Sequence, residues 1–431
     1  MKAARFLYAL ALLSMPFSYA LKYMLQLRNI VWIPPCVVFG FLCFVLLKLP
    51  VRDKRSLWVV LYAFLAASIG CLYISVSPER VKPSLYTAYL ESIRLCLEMI
   101  WYWVSIEFIY KARGFVLRWV IISVIAQLLV AIYIFLAFFD VVPAPDFITL
   151  YTRYFAMAQS VTLGGVSIPR MGGTFVEGPP FGLFMFSCFV IFMACLAQST
   201  GAKGQSDIDR KWVKWGAGFG LIGAIGSLSD QVLLALLAFG LCWYLSVHRR
   251  TAQATGLAQA ARIVIISSVF IGVATYVIPK VTVKAKQAAA TSRDELGTMG
   301  DAGAERVYHL RYGLQVLGEN PLAIVTGIGP GRYGDYVVRT GQYKADTPIQ
   351  NMPLAWLVEY GLLGTILILY WLGNIAKKTT RIYRFMGIGI CVGLFFANIT
   401  QGGWLAESWF FALAFFYCAG GKGMPTLALF A

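Results

Sequence analysis

Residues 346–364, DTPIQNMPLAWLVEYGLLG, change within a few positions from polar to apolar side chains. The apolar part continues to about residue 373, which gives roughly the ~20 residues that an α-helix needs to cross a bilayer core. Yet Gln350 and Asn351 stand at the polar boundary, and Glu359 lies within the apolar run. A carboxylate is costly inside a membrane unless it is paired or protonated, so what surrounds this helix decides the role of these residues.

The composition of the whole chain is that of a membrane protein. Of the 431 residues, 59% are hydrophobic and 13% are charged, whereas soluble domains are about half apolar and about a quarter charged. Repeated apolar runs of membrane-spanning length predict an all-α polytopic membrane protein with about twelve spans. They are expected near residues 6–27, 30–48, 57–77, 86–110, 115–139, 179–198, 212–228, 229–247, 260–278, 351–373, 382–399 and 404–420.

The positions of Lys and Arg predict the orientation. Groups of basic residues fall at alternate connections between the spans, near residues 2–5, 48–55, 111–118, 203–214, 249–262, 377–384 and at 422, and contain 21 of the 37 Lys and Arg residues. Cytoplasmic loops carry such an excess. We therefore expect a multi-pass protein of the bacterial inner membrane with both termini in the cytoplasm. The net charge of +17 is then explained by topology and anionic membrane lipids, and no nucleic-acid partner is expected.

These spans divide the chain into four parts. The N-terminal membrane helices occupy 1–139, and central membrane helices with a periplasmic loop at 140–178 occupy 140–278. A large periplasmic loop follows at 279–350, before the C-terminal membrane helices at 351–431. The large loop is too long for a connector, so it is expected to be functional.

The large loop contains a helical pattern and a glycine-rich turn. Val307, Leu310, Leu314 and Leu317 recur at spacings of three and four, which predicts an amphipathic helix lying on the membrane or on the helix bundle. The glycines of GIGPGR, residues 327–332, are not followed by Lys-Ser/Thr and lie outside a strand–helix unit. They therefore give no support to a nucleotide site.

Metal and disulfide chemistry have little basis in the sequence. The nine cysteines all fall within or at the edges of apolar spans, and the chain has only two histidines. No Cys or His spacing resembles a zinc site. We expect no disulfides, no metal and no cofactor.

Three stretches resemble motifs of the bacterial O-antigen ligases, O-antigen polymerases and related exopolysaccharide polymerases. RMGGTF at 170–175 is similar to an Arg-x-x-Gly-Thr-Phe element, and RVYHLRYGLQVLGENPLAIVTGIGPGRY at 306–333 to an Arg-led helix followed by a Gly-x-Gly-x-Gly turn. QNMPLAWLVEYGLLG at 350–364 resembles a polar residue and Asn followed by Glu and Gly-x-x-Gly. The resemblance covers roughly residues 165–365. It implies a GT-C-like helical fold and glycosyl transfer outside the inner membrane from an undecaprenyl-pyrophosphate-linked glycan.

The leaving group of that reaction is a pyrophosphate anion, which arginine grips with two donors. Arg170 and Arg306 match the family's positions and are assigned to the pyrophosphate, with Arg311 and Arg332 as further candidates. In the alternative interpretation, Arg170 and Arg306 only anchor their loops at phospholipid headgroups.

A histidine precedes the motif asparagine in the ligases, where it serves as the base; here the residue is Gln350, which cannot accept a proton. This difference favours a polymerase over a ligase and moves the base elsewhere. Asp230, Glu177 and Asp346 are candidates, together with His309, unless the acceptor hydroxyl attacks with little help from a base.

The other polar residues of that motif are assigned to substrate binding. Asn351 keeps the position of the family's asparagine, while Glu359 either contacts substrate or holds an interhelical hydrogen bond. Gly361 and Gly364 are interpreted as close-packing positions.

In the fourth span, Glu91, Arg94 and Glu98 share one helix face. They either pair within the helix or line a polar groove that leads to the site.

The sequence thus favours a polymerase of lipid-linked oligosaccharide repeat units, with membrane lipids as surroundings and a chain-length regulator and a flippase as partners. An O-antigen ligase that transfers polysaccharide to lipid A-core or another acceptor is the first alternative. A transporter of lipid-linked oligosaccharides is the second, which would predict internal repeats and interrupted helices at matching positions.

Overall fold

A computed structural model describes the chain at residues 2–17, 33–76, 85–143, 160–163, 166–175, 178–199, 207–248, 302–319, 321–334, 349, 351–398 and 407–418. These residues are helical except for loops and one β-hairpin. The helices are α1 (Lys2–Ser14), α2 (Pro35–Leu47), α3 (Lys54–Val76), α4 (Leu85–Phe138), α5 (Gly178–Ser199), α6 (Asp207–Gly226), α7 (Asp230–His248), α8 (Ala302–Glu319), α9 (Pro321–Thr326), α10 (Met352–Tyr383), α11 (Phe385–Asn398) and α12 (Glu407–Cys418), with a 3₁₀ turn at Met15–Phe17.

The hairpin consists of β1 (Ser160–Leu163) and β2 (Val166–Pro169), which pair antiparallel with Ser160 opposite Pro169. It leads directly into the RMGGTF segment.

Helix length and apolarity agree with a helical membrane protein. Among the described residues, three stretches are long and apolar enough to cross a membrane: Thr87–Phe138, Pro179–Gln198 and Met352–Tyr383. Shorter apolar helices lie at Pro35–Leu47, Asp230–Leu245, Met386–Asn398 and Glu407–Cys418. The predicted span at 260–278 lies outside the described residues.

Helix α4 contains two of the predicted spans. Its backbone leaves helical geometry at Ala112 (φ −150°, ψ 50°), between the stretches predicted at 86–110 and 115–139. The first half runs alongside α12, since Trp101 Nε1 donates to Glu407 O (3.1 Å) and Cys418 Sγ donates to Ile106 O (3.5 Å). The second half runs against α5, as the next contacts show.

The second half of α4 and helix α5 run antiparallel. Their contacts show which helix ends lie at the same end of the bundle. Arg113 Nη2 donates to Cys195 Sγ (3.4 Å), at the end of α5, and Gln127 meets the segment just before the start of α5. The first half of α4, α10 and α12 all point their C-terminal ends to the same face as Arg113. We call it the basic face, because Lys111, Lys377 and Lys378 lie there.

A buried carboxylate ties helices together at the basic face. Asp53, which precedes α3, is buried and accepts hydrogen bonds at Oδ2 from Tyr102 OH (2.8 Å) and Trp371 Nε1 (3.0 Å). Its Oδ1 accepts from the backbone N–H of Arg55 (3.3 Å) and so satisfies a free donor at the start of α3. One side chain therefore joins α3, α4 and α10, and it is fully hydrogen-bonded, as a buried charge requires.

Candidate functional site

The RMGGTF segment is fixed against two other elements of the bundle. Gly173 adopts φ +55°, and Thr174 then donates its backbone N–H to Gln127 Oε1 (3.1 Å). The Thr174 hydroxyl lies within hydrogen-bond distance of both Gln127 Oε1 (2.9 Å) and Pro16 O (2.6 Å). Phe175 packs on aromatic rings of α5. We call residues 173–175 the wedge. Its contacts with α4, α5 and the 3₁₀ turn fix the position of Arg170, the first residue of the segment.

The same segment is hydrogen-bonded to the connection between α6 and α7. Met171 N–H donates to Gly226 O (3.0 Å). Arg170 stands one residue before this bond, and Asp230 follows it as the first residue of α7. Two of the residues that the sequence singled out are therefore brought to one junction, although 60 residues separate them.

Each of these side chains keeps an atom without a protein partner. Arg170 Nε and Asp230 Oδ1 are both shielded from solvent and have no hydrogen-bond partner within the described part of the chain. Buried polar atoms are nearly always satisfied. A cationic and an anionic group with spare hydrogen-bonding capacity at one junction are suited to holding a polar ligand.

The glycine-rich turn enters a break in α10, which was not predicted from the sequence. The tenth span was predicted to run unbroken over 351–373; instead, α10 extends to Tyr383 and leaves helical geometry at Gly361 (φ 65°, ψ −173°). The carbonyls that the break frees are taken by the turn, since Ile328 N–H donates to Val358 O (2.8 Å) and Gly329 N–H donates to Glu359 O (3.0 Å). The glycine-rich turn of the large loop thus packs against α10, in keeping with the predicted contact of this loop with the helix bundle.

The turn also places Arg332 inside the protein. Arg332 is 1% exposed, and its Nη1 donates to Ile328 O (3.3 Å). It lies against α3, where a Cβ built at Gly70 would be 2.6 Å from Arg332 Nη1. Its neighbour Gly331 faces Glu91 of α4. Arg332 therefore contacts protein atoms in this arrangement, and a role at the substrate phosphate would need the turn to move.

The polar face of α4 continues inward from this turn. Glu91 and Arg94 form an ion pair at 3.8 Å, which is the intrahelical pairing expected from the sequence. Arg94 also interacts electrostatically with Glu98 and with Glu407 of α12. Glu98 is fully buried, and neither of its carboxylate oxygens has a hydrogen-bond partner among the described residues. The sequence could not show that Glu407 belongs to this group of charged residues, because α12 is far from α4 along the chain.

Helix α8 packs against α10. Tyr312, Val316 and Leu317 are buried, and a Cβ at Gly313 would touch Leu354. Leu317 of the predicted apolar face thus lies on the packed side, whereas Leu314 is exposed. The side chains of Val307 and Leu310 lie outside the described residues. The small Gly313 lets the two helices approach closely.

The remaining site candidates divide into three groups. His309 is buried, with Nδ1 2.9 Å from Tyr333 OH, and this bond holds the start of α8 to the end of the glycine-rich turn. Arg311 is exposed on α8. Gln350, Glu177, Asp346 and the side chain of Arg306 lie outside the described residues.

The two polar residues of the α10 entrance have structural roles in this arrangement. Asn351 caps α10, because its side chain accepts a hydrogen bond from the Leu354 N–H (3.0 Å). Glu359 contributes its backbone carbonyl to the bond with Gly329. Glu359 thus joins two segments by a hydrogen bond, but the bond uses its main-chain carbonyl. An interhelical hydrogen bond was one of the two roles that the sequence suggested for this residue.

Gln127 is a residue that the sequence did not single out. It lies within an apolar run of α4, and its carbonyl oxygen binds the wedge. An isolated amide inside a predicted span is a usable signal, since such groups are expensive unless paired. Within the described ranges, no group of three or more His, Cys, Asp or Glu side chains is placed to hold a metal ion.

Comparisons of the chain with protein-family models, with curated proteins and with solved structures find no match.

Proposed function

We propose that the protein is an inner-membrane glycosyltransferase that polymerises undecaprenyl-pyrophosphate-linked oligosaccharide repeat units on the periplasmic side. The observation that supports this most is the junction of Arg170 and Asp230, each with a buried atom that has no hydrogen-bond partner among the residues that the structure describes. The pair supplies the two charges that glycosyl transfer from a pyrophosphate donor uses.

In the proposed reaction, the acceptor hydroxyl oxygen bonds to the anomeric carbon of the donor sugar as the bond from that carbon to the phosphate oxygen breaks. The electron pair leaves with undecaprenyl pyrophosphate, and the hydroxyl proton passes to Asp230. Arg170 binds the leaving pyrophosphate, whose negative charge increases in the transition state. Fixed cations there can lower the barrier by several kcal/mol.

The shared face supports this arrangement. The Met171–Gly226 bond and the start of α5 lie at the end of the bundle opposite to the basic face. The α10 break, the glycine-rich turn and the polar face of α4 lie toward that same end. A lipid-linked substrate that enters from the membrane presents its pyrophosphate at this end of the bundle, where Arg170 and Asp230 lie.

A transporter remains the second candidate because α10 is interrupted, as the discontinuous helices of transporters are. In transporters, the freed carbonyls of such a break coordinate the substrate or coupling ion. Here Val358 O and Glu359 O already accept hydrogen bonds from the turn. The break serves packing, and this favours the glycosyltransferase.

The test is reconstitution of the purified protein in liposomes with an undecaprenyl-pyrophosphate-linked repeat unit. A ladder of longer lipid-linked products, with release of free undecaprenyl pyrophosphate, is the expected result. Transfer to an added lipid A-core acceptor without a ladder would identify a ligase. Movement of unaltered donor across the bilayer, with no covalent product, would identify a transporter and contradict the proposal.

A further inference from the structure

Helix α9 is short and exposes apolar side chains although it belongs to a predicted extramembrane loop. Leu322 is 70% exposed, Ile324 43% and Val325 45%. On a water-facing helix, three exposed aliphatic side chains among six residues are unfavourable. The surroundings of α9 therefore determine whether this face meets water or lipid.

The depth of the adjoining turn follows from α10. Lys377 and Lys378 end the apolar part of that helix at the basic face. About 20 helical residues cross the ~30 Å hydrocarbon core at ~1.5 Å per residue. Counted back from Lys377, the opposite boundary falls near residue 357. Gly361, where the turn is hydrogen-bonded, then lies about 6 Å inside the core.

A second helix independently places the turn inside the core. Helix α3 begins at Lys54 and Arg55 on the basic face, so about 20 residues later its apolar part reaches the opposite boundary near residue 75. Gly70, which faces Arg332, then lies about 8 Å inside. Tyr62 OH donates to Thr326 O (3.4 Å), the last residue of α9. Both neighbours thus place the end of α9 below the membrane boundary.

The exposed apolar surface continues from α9 onto two of the helices that it contacts, α10 and α3. Leu362 and Leu363, directly after the break in α10, are exposed, as are Leu61 and Leu65 beside Tyr62 of α3. These are lipid-facing positions if α3 and α10 span the membrane. The exposed side chains of α9 belong to the same surface. The molecules that contact α3 and α10 there, membrane lipids, therefore contact α9 as well.

We infer that α9 and the following turn form a re-entrant segment, and that Leu322, Ile324 and Val325 contact hydrocarbon chains of membrane lipids. Insertion stabilises the segment because these apolar side chains are removed from water. The backbone groups of the turn tolerate this depth because they bond to α10, as non-helical backbone in a membrane must.

The test is spin labelling of single cysteines at Leu322, Val325 and Leu314 in the full chain reconstituted in lipid bilayers. Leu314 is the matched control: it is 54% exposed, on α8, beside the exposed Arg311 and Gln315. Collision rates with oxygen, which concentrates in lipid, and with a water-soluble nickel chelate are measured for each label. The parent chain, labelled in parallel, gives the contribution of its native cysteines.

Oxygen-dominated relaxation at Leu322→Cys and Val325→Cys, with nickel-dominated relaxation at Leu314→Cys, is the expected pattern. Nickel-dominated relaxation at all three positions would overturn the inference, because α9 would then face water. Low accessibility to both reagents at the α9 positions would overturn it too, because protein would cover that face. Equal oxygen and nickel accessibilities at Leu322→Cys, Val325→Cys and Leu314→Cys would also overturn the inference, because α9 would then have the same surroundings as the exposed face of α8. None of these outcomes depends on glycosyltransferase activity.

Discussion

Gly327 and Gly361 cross backbone to backbone, with no room for a side chain on either. Both have positive φ, +77° and +65°, and a Cβ built on either would overlap main-chain atoms of the other segment. Two segments that lie 34 residues apart in sequence are joined here by main-chain hydrogen bonds. The contact explains why both positions are glycine.

Replacing either glycine with alanine is expected to destabilise the protein. The left-handed backbone costs an L-residue about 1–2 kcal/mol, and the overlap adds to this, for a total of at least about 2 kcal/mol. The melting temperature in detergent measures the effect. Gly373→Ala is the matched control, because that glycine lies in the same helix with nothing within 4 Å of its Cβ position. A Gly361→Ala protein as stable as Gly373→Ala would contradict the close crossing.

Arg170→Lys and Asp230→Asn are expected to lower polymer formation with little change in expression. Lysine supplies a point charge where the arginine fork binds phosphate, and loss of a general base costs about 10²–10⁴ in rate. Polymer is measured at matched protein levels. Asp140→Asn serves as the control, since Asp140 is an exposed carboxylate in a turn away from the junction. Full activity of Asp230→Asn would remove Asp230 from the reaction.

Gln350→Ala is expected to have the smaller effect. An amide that only hydrogen-bonds the acceptor or phosphate contributes about 1–3 kcal/mol, a factor of roughly 5 to 150 in rate. Glu177→Gln and Asp346→Asn, assayed beside Asp230→Asn, show which carboxylate acts as the base. Complete loss of polymer in Gln350→Ala, with all three carboxylate variants active, would exclude a relocated base.

Arg94→Met is expected to destabilise the protein, because Glu91 loses its ion-pair partner and the buried Glu98 and Glu407 lose a nearby cation. Because the Arg94–Glu91 pair is partly exposed, its share of the loss is expected to be about 1 kcal/mol or less. Adding Glu98→Gln to this variant removes one buried acid that Arg94 interacts with and is expected to recover part of the loss. Thermal melting of the wild type, both single variants and the double variant gives the coupling between the two residues. If the two effects simply add, Arg94 and Glu98 do not interact.

A reporter enzyme fused after residue 300 is expected to be active only outside the cytoplasm. The expectation rests on the distribution of Lys and Arg among the connections. Fusions after Lys54 and Lys378 are expected to leave this reporter inactive, because those residues are predicted to face the cytoplasm. They also control for expression. Cytoplasmic activity of the fusion at residue 300 would reverse the orientation.

Hydrophobic run length was enough to predict where most described helices lie, including the two halves of α4 on either side of Ala112. The RMGGTF segment became a candidate through its resemblance to a family motif, and Asp230 became one as a possible replacement for the missing histidine base. Their meeting could not be predicted, because a single main-chain bond, Met171 to Gly226, brings them together. Main-chain bonds between remote segments leave no pattern in side-chain identity.

The break at Gly361 shows a second limit. The run 351–373 has the hydropathy of an uninterrupted span, and one glycine in such a run is ordinary in membrane helices. What breaks the helix is the other segment, whose N–H groups compete for the Val358 and Glu359 carbonyls. The turn that makes these bonds also carries the buried Arg332, which the sequence analysis named as a further phosphate-binding candidate.

The carboxylate of Asp53 has a mechanical consequence. It holds α3, α4 and α10 together at the basic face through three hydrogen bonds. Helices that are joined in this way at one end can separate by rotating about that end. Any widening of the bundle that admits a large ligand would therefore open at the end opposite to the basic face.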